Sequence, residues 1–380
     1  MIKHLTTLLA TLAFVALACA AEPVWLSDQP VPKAAELSEL KGVEFHVIKA
    51  NEPGRDGYIW LHGVVLCWHK GKLYASFGNN KGEENTHGEE ARGRVSSDGG
   101  KTWGEVFTIG VGDEPDLGVS HGVFLSHGDE LWAFQGAFSG HMSKVHTRAY
   151  RLNETNGVWE KKGVVVDHGF WPMQEPQKMA DGNWIMSGVR VGDGNPAAVA
   201  ISHGEDLTQW DLVPIPKPAS QNMWGESGVV VDGRRVQNFA RFGADALALT
   251  AVSEDYGRIW TESLPSNLPM ATAKPYAGVL STGQRYLIGT TTADGAKRRS
   301  PLTIAVGRTG ENGFRKIFRI RDSMCPQSPG DSSPRVNMSY PYAVEHDGKL
   351  YVGYSNSGGR RGNHNSAELA VIPIAELRVE

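Results

Sequence analysis

The sequence predicts an all-β fold, a six-bladed β-propeller whose blades are four-stranded antiparallel sheets. Three observations carry that reading. One pattern, a short hinge pair followed by an apolar strand, a glycine turn and a second apolar strand, recurs six times along the chain. Each of the first five copies then reaches a tight turn closed by an aromatic residue. Helical periodicity is nearly absent, with only residues 34–40 hinting at a short helix.

The first twenty residues read as a leader rather than fold. Lys3 and His4 are followed by a mostly apolar run over 5–18, and Ala18-Cys19-Ala20 is a small-residue cleavage pattern. This predicts a secretory signal peptide, residues 1–20, ahead of a propeller domain over 21–380. Plain cleavage is expected rather than lipid attachment at Cys19, because Ala16 stands where a lipobox needs Leu. The protein is therefore expected to be exported, periplasmic or secreted. No other segment is long and apolar enough to span a bilayer.

The stretch 42–50 alternates Val43, Phe45 and Val47 as a half-buried strand does. The chain ends in another apolar strand over 368–373. One terminus is expected to complete a blade begun by the other, closing the ring and removing its free edges.

Between them stand the six hinges, at His62, His121, Glu175, Glu226, Lys274 and Tyr340. Their steps of 59, 54, 51, 48 and 66 residues suit one four-stranded blade each. The closing turns read Ser96-x-Asp98-x-Gly100-x-Thr102-Trp103 in the first copy and Ser253-x-Asp255-x-Gly257-x-Ile259-Trp260 in the fourth. Worn copies end at Trp159, Trp210 and Phe314. Ser and Asp side chains bond backbone N–H groups within such a turn, Gly takes the left-handed position, and Trp packs under the next strand. Asp98 and Asp255 are thus fold markers rather than catalytic acids.

Composition excludes some functions. Lys and Arg number 38 against 42 Asp and Glu, a formal net charge of −4, so the basic excess of a nucleic-acid binder is absent. Past the leader only Cys67 and Cys325 remain, which is no disulfide scaffold. Cys67 lies in an apolar run and reads as a small buried hydrophobe. No zinc or calcium motif is present, and neither metal nor cofactor is expected.

First strands of a propeller line its axis, so the six hinges should ring one mouth. All six carry ionisable side chains where core packing would favour aliphatic ones, which marks a candidate site. Eight residues past each turn glycine, the second strand brings Asn79, Arg190, Arg241, Thr291 and Asn356 toward the same face. Arg241 is then a neighbour of Glu226 across one hairpin. Arg299 precedes the next blade's strand, so two guanidinium forks could converge on one carboxylate.

These features resemble the sialidase (neuraminidase) superfamily, the BNR or Asp-box six-bladed propellers, over roughly residues 40–380. Glu226 in Trp224-Gly225-Glu226-Ser227 resembles the family's Asn-Glu-Pro glutamate. Arg241 and Arg299 resemble the second and third arginines of its triad, and Tyr340 in Ser339-Tyr340-Pro341 resembles its tyrosine nucleophile. The resemblance implies an exo-glycosidase that removes a terminal sialic acid or related acidic sugar. A neutral tyrosine avoids the repulsion that a carboxylate nucleophile would meet from a carboxylate on the anomeric carbon, and Glu226 draws its proton.

Two departures stand out. Leu61, in Trp60-Leu61-His62-Gly63, occupies the place of the family's first arginine, with Arg190 or His62 as possible substitutes. The loop expected to hold the acid/base aspartate reads Glu83-Glu84-Asn85-Thr86-His87-Gly88-Glu89-Glu90 and has no Asp, leaving Glu89, Glu90 or His87 for proton transfer. Substrate contacts are expected from Arg241, Arg299, Arg190, His62, His121, Glu175 and Lys274. Two other readings stay open: a polysaccharide lyase acting on uronates, and a glycan-binding propeller without turnover.

Overall fold

The computed structural model describes residues 21–326 and 336–380. The expected leader and Cys19 lie outside the described residues. Six antiparallel sheets are arranged as propeller blades. Written from the axis outward, the first blade is Trp60–His69, Lys72–Asn80, Glu90–Ser96 and Phe107–Gly110, and the second is Leu117–His127, Glu130–Ser139, Ser143–Asn153 and Val158–Val166. The third has its inner edge split into Phe170–Pro172 and Gln177–Lys178, followed by Trp184–Arg190, Ala197–His203 and Asp206–Pro214. The fourth is Met223–Asp232, Arg235–Phe242, Leu247–Ser253 and Leu264–Pro269, and the fifth is Tyr276–Val279, Gln284–Gly289, Leu302–Thr309 and Lys316–Arg321.

The sixth blade takes strands from both ends of the chain. Met338–His346, Lys349–Asn356 and Ser366–Pro373 come from the C-terminal part, and the outer strand is Glu44–Lys49, which pairs antiparallel with Ser366–Pro373 in the register Glu44↔Val371. The ring closes as expected. The helix hinted at over 34–40 is instead a single 3₁₀ turn, Ala34–Glu36, followed by Ser38–Glu39, which adds in parallel to the outer edge of the fifth blade. Two residues of alanine are too short a run to nucleate a helix against that strand pairing.

Alternation places apolar side chains between blades, where Phe77, Phe124, Phe134 and Phe239 are fully buried. The two full turn motifs have the expected bonding. Asp98 Oδ1 accepts from Ser96 Oγ and Thr102 N, Ser96 Oγ accepts from Gly100 N, and Trp103 Nε1 donates to Gly100 O. Ser253, Asp255, Gly257 and Trp260 repeat this set. Gly100 has φ +87°, and a Cβ there would lie 2.3 Å from Leu369 Cδ2 of the sixth blade. These turns therefore staple neighbouring blades together, away from the mouth. Trp210 keeps the same indole bond, to Leu207 O. Cys67 and Cys325 are both free and buried. Among the described residues no helix is long and apolar enough to cross a membrane.

Candidate active site

The hinges owe their position to breaks in the inner strands. In the second and sixth blades, Ser120-His121 and Tyr340-Pro341 each set two residues against one on the partner strand. In the fourth, three residues, Trp224-Gly225-Glu226, face Arg241 alone. The first blade has its irregularity just after His62, and the third has its gap at Glu175. A bulge re-aims side chains that regular alternation would send to one blade face or the other. Here it turns polar residues toward the axis.

His62, His121, Glu226 and Tyr340 thereby line one cavity of about 250 Å³, together with Arg241 and Arg299. Tyr340 touches several of the others. The phenol donates to Glu226 Oε1, and Arg241 Nη1 donates to Glu226 Oε2 at 2.7 Å. Tyr340 has φ +55°, a left-handed conformation that costs a bulky side chain about 1–3 kcal/mol. Burial, followed by the charge of Glu226, pushes the phenol well above its ordinary pKa, so the hydroxyl is neutral. Burial works against the charge of Arg241, but Glu226 and Tyr340 outweigh it and its pKa is raised.

The two histidines flank the phenol. The His62 ring lies 3.9 Å from that of Tyr340, and His121 sits edge-on at 5.8 Å. Asn365 Nδ2 donates to Leu61 O, which fixes its amide, and also lies 3.4 Å from His62 Nδ1. The same ring nitrogen lies 3.0 Å from Ser355 Oγ, so the His62 ring is held from the sixth blade. Burial holds both rings neutral, His62 well below its usual pKa and His121 at about 3, with nearby Lys274 adding to the effect on each. His121 Nε2 is buried and has no hydrogen-bond partner among the described residues.

Arg299 Nη2 donates to Thr272 O and Arg241 Nη1 to Glu226 Oε2, and each guanidinium carries five N–H donors, so both groups lining the cavity have further donors to offer a carboxylate. Leu61 is almost fully buried, its neighbour His62 being the residue that reaches the cavity.

Three expected contacts lie elsewhere. Arg190 pairs with Asp193 in a separate groove lined by His146, His168 and Val191. Val189 beside it lines the cavity, and alternation along the strand turns Arg190 the other way. It does not replace the missing arginine. Glu175 is behind the mouth, accepting from the Tyr276 hydroxyl and lining a second cavity on the axis. Lys274 is buried behind the wall, donating to Pro341 O at 3.1 Å. Of the five second-strand positions eight residues past a turn, only Arg241 lines the cavity.

The loop before the first turn motif also sorts itself. His87 is exposed and outside the cavity lining. Glu89 is buried under the loop, accepting from Asn85 N at 2.5 Å, and burial pushes its carboxyl up to about 8. Glu90 is engaged by the Tyr58 hydroxyl. The acid of this loop that lines the cavity is Glu84, which the spacing did not single out. Burial, and secondarily the charge of Glu226, raises its pKa, while Asn363 Nδ2 donates to Oε2 at 2.9 Å. Trp171, Trp224, Met142 and Met173 complete the wall and were also not foreseen. Among the described residues no cluster of His, Cys, Asp or Glu is arranged to hold a metal ion.

Residues 95–352 match the BNR repeat-like domain family. No curated protein matches the chain. Solved structures with the same fold include the Hadza microbial sialidase Hz136, at 13% identity and TM-score 0.66 over 88% of this chain and 69% of that one. A protein of unknown function from Dyadobacter fermentans aligns at 16% identity and TM-score 0.67, over 88% of this chain and all of its own. The intramolecular trans-sialidase from Ruminococcus gnavus aligns at 12% identity and TM-score 0.60, over 84% of this chain and 96% of its own. At these identities the likeness is one of fold. With a family match over most of its length and six closed blades, the chain belongs to the BNR repeat-like family and has the six-bladed propeller fold of the sialidase superfamily.

Proposed function

We propose that this protein is an exported exo-glycosidase of sialidase type, hydrolysing a terminal sialic acid or related acidic sugar from glycans. The observation that carries the reading is the chain of contacts Tyr340–Glu226–Arg241 in a cavity that also holds Arg299. Arg241 and Arg299 hold the substrate carboxylate and orient the ring. Tyr340 Oη attacks the anomeric carbon as its proton passes to Glu226, and the glycosidic oxygen departs with a proton from Glu84. Water, deprotonated by Glu84, then displaces the tyrosine, which recovers its proton from Glu226. The raised pKa of Glu84 favours this role over the buried Glu89 and the exposed His87. Export rests on the apolar leader expected over residues 1–20.

Leu61 favours a second reading. With two arginines rather than three, the cavity suits an acidic sugar other than an ordinary sialoside, bound with or without turnover. His121 Nε2, beside the phenol and without a partner among the described residues, would serve a uronate lyase as proton acceptor. Release of fluorophore from a fluorogenic sialoside, measured for wild type and Tyr340→Phe, tests the first reading. Turnover that collapses in the variant supports it. Turnover retained in the variant refutes it, and an unsaturated-uronate absorbance from a uronate polymer would establish the lyase instead.

A further inference from the structure

We infer that Lys274 is a positioning residue for Tyr340: from the fifth blade it grips the backbone of the sixth and holds the phenol in its left-handed setting over Glu226. This rests on the reading of Tyr340 as nucleophile.

The side chain of Lys274 is almost wholly buried, 3% exposed, and among the described residues it has no ion pair. An ammonium in that position is costly compared with an apolar chain of the same length. What it bonds is the carbonyl oxygen of Pro341, at 3.1 Å. Pro341 is the second residue of the two-against-one bulge that begins at Tyr340. It has no N–H to give, so this stretch of chain is short of ladder bonds at the very point where Tyr340 takes φ +55°. A strained conformation persists only where its surroundings over-determine it. Lys274 supplies such a tie from a different blade.

The support continues behind it. The ammonium lies 5.3 Å from the centre of the Tyr342 ring, on the inner strand with Tyr340. Tyr342 Oη accepts from Glu175 N, and Glu175 Oε1 accepts from Tyr276 Oη. Tyr276 stands two residues after Lys274 on the chain, so the contacts form a closed buttress linking the third, fifth and sixth blades. The hinges at Glu175 and Lys274 thus act on the site from behind, through the backbone that bears the nucleophile.

The test is Lys274→Met, which keeps the length and removes the donor, studied by crystallography and by steady-state kinetics on a fluorogenic sialoside. The expected structure has Tyr340 out of the left-handed region or its hydroxyl parted from Glu226. The expected kinetics are a fall of about 100-fold in kcat with KM changed less than about 2-fold, the signature of a misplaced group rather than lost binding. Lys274→Gln, one bond shorter but still carrying an N–H donor for Pro341 O, should hold Tyr340 nearer its place and lose less kcat than Lys274→Met. Tyr340 and its bond to Glu226 unchanged in Lys274→Met, with kcat within about 2-fold of wild type, overturns the inference. Should the wild type itself fail to turn over sialosides, the proposed reaction falls, while the position of Tyr340 in the variant structures still decides the role of Lys274.

Discussion

Glu89 offers a prediction whose size follows from one buried carboxyl. It is 1% exposed and stands under the loop that carries Glu84 and Asn85. Burial moves it from an ordinary 4.5 to about 8. A folded-state pKa above the unfolded one means that the stability it allows is fully present below pH 4.5 and is lost as pH rises toward 8. Over that interval, at about 1.4 kcal/mol per pH unit, the loss amounts to about 5 kcal/mol, with about 3 kcal/mol already lost at pH 7. Glu89→Gln keeps the shape and the acceptor for Asn85 N but cannot ionise. Urea unfolding of both proteins at acid, neutral and mildly alkaline pH is the assay. The variant should be similar to wild type near pH 4.5 and more stable by several kcal/mol at pH 8. It should also retain turnover, since Glu89 does not line the cavity. Parallel pH dependences in the two proteins would refute the buried neutral acid, and loss of turnover with stability intact would return Glu89 to the chemistry.

Other consequences are equally open to measurement. Glu84→Gln should cost about 10²–10³ in kcat/KM for a sugar leaving group and far less for an activated aryl one, and equal losses on both would remove it as the proton donor. Arg241→Met leaves the buried Glu226 carboxylate without its ion-pair partner, and urea unfolding should show about 3–5 kcal/mol of destabilisation. Gly63→Ala, at φ +70° and with its Cβ 2.2 Å from the His121 ring, should cost about 2 kcal/mol or more and displace that ring. An unaltered melting curve would show that the bulge of the first blade yields freely.

Much of this was legible in the residues because a propeller is a repeat. Six hinge pairs and the glycine turns after them give the blades, and the terminal strands at 42–50 and 368–373 give the closure. Glu226, Arg241, Arg299 and Tyr340 were readable because each belongs to a short local pattern. What escaped depends on contacts between blades. Glu84 stands among four glutamates in one loop, and only the approach of Asn363 from the sixth blade distinguishes it. Trp171 reaches the cavity because the inner strand of the third blade is broken beside it. The same break, with strand alternation, sends Arg190 outward although its spacing from the turn glycine equals that of Arg241, which faces a three-residue bulge. Counting along one strand cannot see a bulge on its partner. Glu175 and Lys274 show the same limit, for their hinges are regular in sequence and their side chains lie behind the mouth.

In the proposed reaction Tyr340 attacks the anomeric carbon of an acidic sugar. That step is tested most directly by incubating the protein with a 2,3-difluoro derivative of sialic acid, which slows release of the covalent intermediate, and locating the adduct by peptide mass spectrometry. One sugar adduct is expected on the peptide bearing Tyr340, absent from Tyr340→Phe. An adduct on another residue, or sialoside turnover undiminished in Tyr340→Phe, would contradict it.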